Sequence, residues 1–162
     1  MLMNKEQVMN FIPHREPFLF IDSVESVTYP GIDLKKGDLL EAKDTLNAEI
    51  VAHYRTKEDH PIFAGHFPGN PILPGVVQIE MMAQAAAFAL VGTIEDPSKS
   101  NMEVVLLSVS NAKFRKPIGP GMDLIIKSKC VKIRGPFNSH ECQIISGDTI
   151  ISEATVMASV KL

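Results

Sequence analysis

Only two cysteines occur among the 162 residues, and no CxxC pair is present. A secreted disulfide scaffold is therefore excluded as the organising principle. There is no charged-then-apolar leader, so the expected compartment is the cytoplasm. Long apolar runs are also missing. The nearest, residues 76–91, is interrupted by Gln78, Glu80 and Gln84, falls short of the roughly 20 residues that a membrane span needs, and reads as a buried helix. Basic excess is absent: 16 Lys and Arg stand against 19 Asp and Glu, for a formal net charge of −3, which argues against a nucleic-acid protein. No internal repeat, low-complexity tract or linker divides the chain, so residues 1–162 are read as one domain. What is there suffices for a core: 45% of the residues are apolar, and a chain of this size buries roughly two-thirds of its unfolded surface without a metal or disulfide staple.

Asn4 can cap a short amphipathic helix that Pro13 ends. Residues 18–27 and 40–54 read as strands around a polar, turn-rich excursion. Residues 61–75 hold four prolines and three glycines, which excludes regular structure there. Pro74 and Gly75 then open a helix predicted to run to about Val91. Its alanines favour helix, and it is apolar almost all round, so other structure must enclose it. Beyond Met102 the period becomes two, which predicts strands over residues 104–116, 124–134, 137–146 and 150–160. Gly147-Asp148 is a two-residue hairpin signal, and the phase of the lysines slips near Cys130, which predicts a bulge. The fold expected is α+β, a curled antiparallel sheet around one long central helix.

Glu80 and Gln84 share a face of that helix. A carboxylate on an apolar helix has its charged form disfavoured and its pKa raised, which suits a proton donor; the alternative is a carboxylate satisfied by structural hydrogen bonds. His66 lies in the Pro/Gly loop, where a lone histidine is more often exposed or structural. Unpaired N–H groups at Gly75 and Val76, at the positive end of the helix, form a site for a carbonyl oxygen that gains negative charge. Together these groups suit proton abstraction beside a carbonyl with loss of a β-substituent, which is a dehydration.

The run Gly65-His66-Phe67-Pro68-Gly69-Asn70-Pro71-Ile72-Leu73-Pro74-Gly75-Val76, continuing into Ile79-Glu80-Met81-Met82-Ala83-Gln84, closely resembles the signature of the bacterial FabZ-type 3-hydroxyacyl-[acyl-carrier-protein] dehydratases. Pro13-His14-Arg15-Glu16-Pro17-Phe18-Leu19-Phe20-Ile21-Asp22 resembles the opening motif of that family, and Ala112-Lys113-Phe114-Arg115-Lys116-Pro117-Ile118-Gly119-Pro120-Gly121 its later strand and turn. The resemblance implies a hot-dog fold and a homodimer, commonly in a trimer of dimers, whose sites take the histidine from one subunit and the glutamate from the other. It implies His66 as base at C2, Glu80 orienting or protonating the departing hydroxyl, the Gly75 N–H on the thioester carbonyl and Gln84 orienting Glu80. His66, Phe67 and their loop would form the mouth of an acyl tunnel. No cofactor or metal is called for, and Met81-Met82 is read as packing or tunnel lining. The sequence departs from the family pattern at Glu16, where an aromatic is usual, and at Met122, where an Asp-like residue is. The stretches 29–47 and 93–102 diverge as well.

Residues 113–134 carry seven basic residues and one acid, net +6, leaving −9 elsewhere. An acidic acyl carrier protein is the partner implied, with Arg115, Lys116, Lys132 and Arg134 as the patch that steers it; a solvated strand surface is the alternative. His14 and Arg15 are expected to tie the opening strand to its neighbour, and His53, His60 and His140 to be surface or structural. Cys130 and Cys142 are equidistant from Pro136, so a hairpin centred there would oppose them. A hot-dog thioesterase or a non-catalytic acyl-binding module remain alternative functions.

Overall fold

A computed structural model describes residues 1–35, 37–100 and 102–161; Lys36 and Asn101, within the divergent stretches 29–47 and 93–102, and Leu162 lie outside the described residues. Helix α1 (Lys5–Phe11) opens the chain, capped reciprocally by Asn4 and Gln7 at 3.0 Å each way. Strand β1 (Ser23–Thr28) follows an extended passage, and β2 (Glu49–Arg55) follows a 3-10 turn at Ala42–Thr45. A single turn, α2 (Ile62–Gly65), precedes the central helix α3 (Gly75–Ala87), which tightens into a 3-10 run at Phe88–Thr93. Strands β3 (Glu103–Phe114), β4 (Asp123–Arg134), β5 (Phe137–Ser146) and β6 (Thr149–Lys161) complete it.

The six strands form one antiparallel sheet in the order β1-β2-β4-β5-β6-β3. Alternate residues of β4, β5 and β6 point inward: Leu124, Ile126, Ser128 and Cys130, then His140, Cys142 and Ile144, then Ala154, Val156 and Ala158. They close on α3, whose buried Ala83, Ala85, Ala86 and Ala87 leave room for the backbone of the sheet to come near. The sheet wrapped on a central helix is the hot-dog architecture. The continuous helical stretch Gly75–Thr93 is long and apolar enough by composition to cross a membrane, yet 67% of it is buried, and it is the core helix of the domain.

Four expectations are corrected by the backbone. The stretch 61–75, expected to hold no regular structure, contains the helical turn α2, because its prolines stand outside Ile62–Gly65. Residues 18–22 are extended but join no ladder, and residues 40–48 turn through the 3-10 element instead of continuing β2. The α-helical part of the core helix ends at Ala87; beyond it the Tyr29 hydroxyl donates to Ala89 O (3.0 Å) and accepts from Gly92 N (2.8 Å), and a Cβ on Gly92 would stand 2.9 Å from that hydroxyl. The bulge near Cys130 is present between Cys130 and Lys132. It shifts the register so that Cys130 faces His140 and Cys142 faces Ser128; both thiols are free and buried.

Candidate active site

The loop after α2 folds back on itself. Phe67 N donates to Asn70 O at 3.0 Å and Asn70 N to Phe67 O at 2.8 Å, across a turn in which Gly69 takes φ +73°. Ile72 N then returns to His66 O (2.9 Å), and Leu73 N reaches Ile118 O (2.7 Å), which anchors the loop to the later motif. Within this frame His66 Nδ1 lies 2.7 Å from Ile72 O. A carbonyl only accepts, so Nδ1 carries the ring hydrogen and Nε2 is left as a lone pair. Phe67 stacks on the imidazole, ring centroids 3.9 Å apart. His60 supports the approach: its Nε2 donates to Pro17 O (3.0 Å), and its Nδ1 accepts from Ile62 N (3.2 Å) at the start of α2.

Glu80 is half-buried on α3. Gln84, one turn later, donates from Nε2 to Glu80 Oε1 (2.9 Å) and to Phe18 O (2.9 Å), while its own oxygen accepts Phe20 N (2.9 Å). The backbone amide of Phe20 fixes which way round the side-chain amide sits, so its donor end must face Glu80. His14 Nε2 lies 3.2 Å from the same carboxylate oxygen. These contacts overturn the raised pKa expected for Glu80: His14 does most to hold its carboxyl below the usual carboxylate range, burial opposes this, and Gln84 adds to the lowering. Glu80 is an anion near neutral pH, with Oε1 engaged twice and Oε2 without a protein partner among the described residues.

At the start of α3 the amides of Gly75 and Val76 have no acceptor among the described residues, and the first bonds of the helix run from Val77 and Gln78 to Pro74 O. Val76 projects outward, 77% exposed. Gly75 sits against the ring of Phe114 at the end of β3. Among the described residues, no hydrogen bond or ion pair joins His66 to Glu80. Nor do three His, Cys, Asp or Glu side chains gather there as a metal site would require. A hollow of about 590 Å³ lies elsewhere, on the outer face of the sheet among Glu49, Lys127, Lys129, Glu141 and Glu153. The chemistry available is an imidazole held through Nδ1, an oriented carboxylate and two helix-start amides without an acceptor among the described residues.

The family described as ApeI-like, ApeI dehydratase, matches residues 42–153. The FabZ 3-hydroxyacyl-[acyl-carrier-protein] dehydratase of Anaplasma phagocytophilum is 34% identical over 158 residues, covering 98% of this chain and 97% of its own. The chain belongs to the FabZ-type dehydratase family. A second FabZ, from Syntrophobacter fumaroxidans, is 31% identical over 98% of this chain and 94% of its own. Among solved structures, the dehydratase heterocomplex ApeI:P from Xenorhabdus doucetiae superposes with a TM-score of 0.65 at 18% identity, covering 96% of this chain and 91% of that one. A mutant of the fluoroacetyl-CoA-specific thioesterase FlK gives 0.58 at 12% identity over 72% and 87%. These two likenesses speak to the fold alone.

The departures from the FabZ-type pattern are accommodated locally. Glu16 Oε1 accepts Lys5 Nζ (2.9 Å) and Lys57 Nζ (2.6 Å); burial opposes its ionisation, but the two lysines outweigh it and hold the carboxyl below its ordinary range. Met122 offers its sulfur to Gly119 N at 3.2 Å. The four basic residues expected to form one carrier patch are separated. The backbone amides of Arg115 and Lys116 donate to Ile151 O (2.8 and 3.3 Å) beside the Phe114–Ser152 pair, and the Arg115 guanidinium is paired with Glu153 at 3.0 Å. Arg134 pairs with Phe137, which faces Ser159, so Lys132 and Arg134 lie roughly 20 Å away along the strands. Only Arg115 and Lys116 share an end of the sheet with Phe114 and Gly75. The residue that sequence reasoning missed is His14: its motif was visible, but 66 positions separate it from Glu80, and no spacing rule reveals their contact.

Proposed function

We propose that this chain removes water from 3-hydroxyacyl thioesters delivered on acyl carrier protein, giving the trans-2-enoyl thioester for fatty-acid synthesis in the cytoplasm. The observation that carries the reading is the hydrogen bond from His66 Nδ1 to Ile72 O, since it leaves Nε2 as the base on a loop that ends at the free amides of Gly75 and Val76. Nε2 takes a proton from C2 while the thioester oxygen, gaining charge, is held by the Gly75 N–H. Glu80 Oε2 accepts the hydrogen bond of the 3-hydroxyl and fixes its direction. The C3–O bond breaks as the electron pair moves between C2 and C3, and the proton taken by His66 leaves with the hydroxyl as water. The imidazole is thereby restored.

His66 of one protomer is proposed to work with Glu80 of the other in a homodimer, further assembled as a trimer of dimers. The edge strand β3 supports the dimer: Val105, Leu106, Leu107 and Val109 are exposed there, an apolar edge that invites a second copy of the same strand. The acyl tunnel is proposed to close between protomers, with the exposed Phe67 at its mouth.

The test is turnover of 3-hydroxyacyl carrier thioesters by His66→Ala and Glu80→Gln proteins, following enoyl product and free thiol separately. Each variant should lose about 10²–10⁴-fold in rate at unchanged oligomeric mass. Mixing the two with subunit exchange should restore about a quarter of the wild-type sites, because each mixed dimer holds one intact pair. Unchanged turnover would end the assignment, and free thiol without enoyl product would select a thioesterase.

A further inference from the structure

The opening motif holds an imidazole that the reaction scheme above does not use. His14 Nε2 lies 3.2 Å from Glu80 Oε1, with both side chains about one-fifth exposed. Its other nitrogen, Nδ1, is buried and has no partner among the described residues. A proton on Nδ1 would have no acceptor, so Nε2 carries the ring hydrogen and points it toward the carboxylate. Leaving that nitrogen buried and unpaired costs stability. An apolar side chain of similar size would avoid this cost if the position served packing alone. The backbone on either side is tied down: the Arg15 guanidinium donates to Ile12 O (3.0 Å) and His14 O (2.7 Å), and Gln84 clasps Phe18 and Phe20. His14 is thus carried on a braced segment, and among the described residues the polar contact of its own side chain is with Glu80.

We infer that His14 is a positioning residue for Glu80: with Gln84 it converges on Oε1, so that Oε2 alone is presented to the 3-hydroxyl and the carboxylate cannot turn. The inference rests on the reading of Glu80 as the group that orients that hydroxyl. The charged groups around the pair leave this role to His14. On the opening segment Arg15 is spent on carbonyls, and Glu16 and Asp22 are engaged by Lys5, with Lys57 also on Glu16. From α3 the groups that meet His14 and the carboxylate are Glu80 itself and the neutral Gln84. Near neutral pH the contact favours the anion. Removing it lets the carboxyl rise toward its ordinary range, so activity should fall away at a higher pH than in the parent.

The experiment compares His14→Leu, His14→Gln, Glu80→Gln and the double variant His14→Leu/Glu80→Gln in the assembled enzyme, with kcat, KM and the pH dependence of kcat/KM. His14→Leu should lower kcat about 10–100-fold with KM within about twofold and move the acid limb to higher pH. His14→Gln, which keeps a donor, should recover part of the rate and return the limb. In the Glu80→Gln background His14→Leu should add nothing. An unshifted acid limb, or losses that simply multiply in the double variant, would overturn the inference even if kcat fell, because a merely structural residue behaves in that way. Denaturation midpoints identify a variant that has failed to fold; the donor-retaining pair His14→Gln and His14→Asn then carries the test by the same limb shift between donors of different reach. Should Glu80→Gln alone retain full activity, it is the underlying reading of the site that fails.

Discussion

Gly75 lies so close under Phe114 that a Cβ there would stand 3.0 Å from both Cε1 and Cζ of the ring. The ring is half exposed and can yield, so Gly75→Ala should fold with a stability change within about 1 kcal/mol, alanine's helix preference offsetting part of the clash. Displacing the ring shifts the start of α3 against β3, where the thioester oxygen is to be held. Dehydration should fall about tenfold or more. Thermal unfolding beside kcat separates the two effects, and unaltered turnover would exclude Gly75 from the site.

A lysine at Val105 or Val109 would place charge on the apolar edge of β3. Val105→Lys and Val109→Lys should each yield folded protomers of lower mass in light scattering, with activity that returns as protein concentration rises. Inactive protein of unchanged mass would count against an active site shared across β3.

Charge reversal at Arg115 and Lys116 should raise KM for the carrier-bound substrate several-fold and weaken its salt dependence, leaving turnover of a short pantetheine thioester unchanged. Lys132→Glu and Arg134→Glu, at the far end of the strands, should do less. Equal effects from all four would point to a carrier surface wider than one end of the sheet. Because Arg115 also pairs with Glu153, the Lys116 variant gives the cleaner reading.

His140 is buried beneath α3 with Nδ1 3.0 Å from Ser128 Oγ, and burial lowers its pKa to about 4. An unfolded chain takes up this proton near pH 6.5, whereas the folded chain resists until about pH 4. Stability is therefore full above the first value and declines as pH falls between the two, by on the order of 3 kcal/mol. Urea titrations from pH 7 to pH 4.5 should show the decline, and His140→Asn should flatten it. The contribution of Glu80 has the opposite chemistry and a lower window: present above the ordinary carboxyl value of 4.5, it is lost as pH falls through the depressed folded value.

Period-two patterning located β4, β5 and β6 within a residue, because each buries one face and a slip would turn Ile126 or Val156 outward. It also exposed the bulge at Cys130 through the phase of the lysines. It failed at residues 18–22. There the Gln84 side chain takes the place of a neighbouring strand, bonding Phe18 O and Phe20 N, so the extended chain needs no ladder. Residues 40–48 misled for a related reason: Asp44 and Glu41 close a local turn, and Leu40 N is claimed by Gly92 O. The loop holding His66 and the helix holding Glu80 were legible from composition and motif. The ionisation of Glu80 was not, since burial alone predicts a raised value and the imidazole that reverses it arrives from the far end of the sequence.

The two sulfurs have a practical consequence. Burial pushes the Cys130 thiol up and the Cys142 thiol up to about 12, and neither nucleophile is open to solvent. Maleimide dyes and spin labels should therefore pass the folded protein by. A single cysteine introduced at exposed Val76 or Phe67 would report selectively on the start of α3 or the His66 loop, with both native thiols left in place.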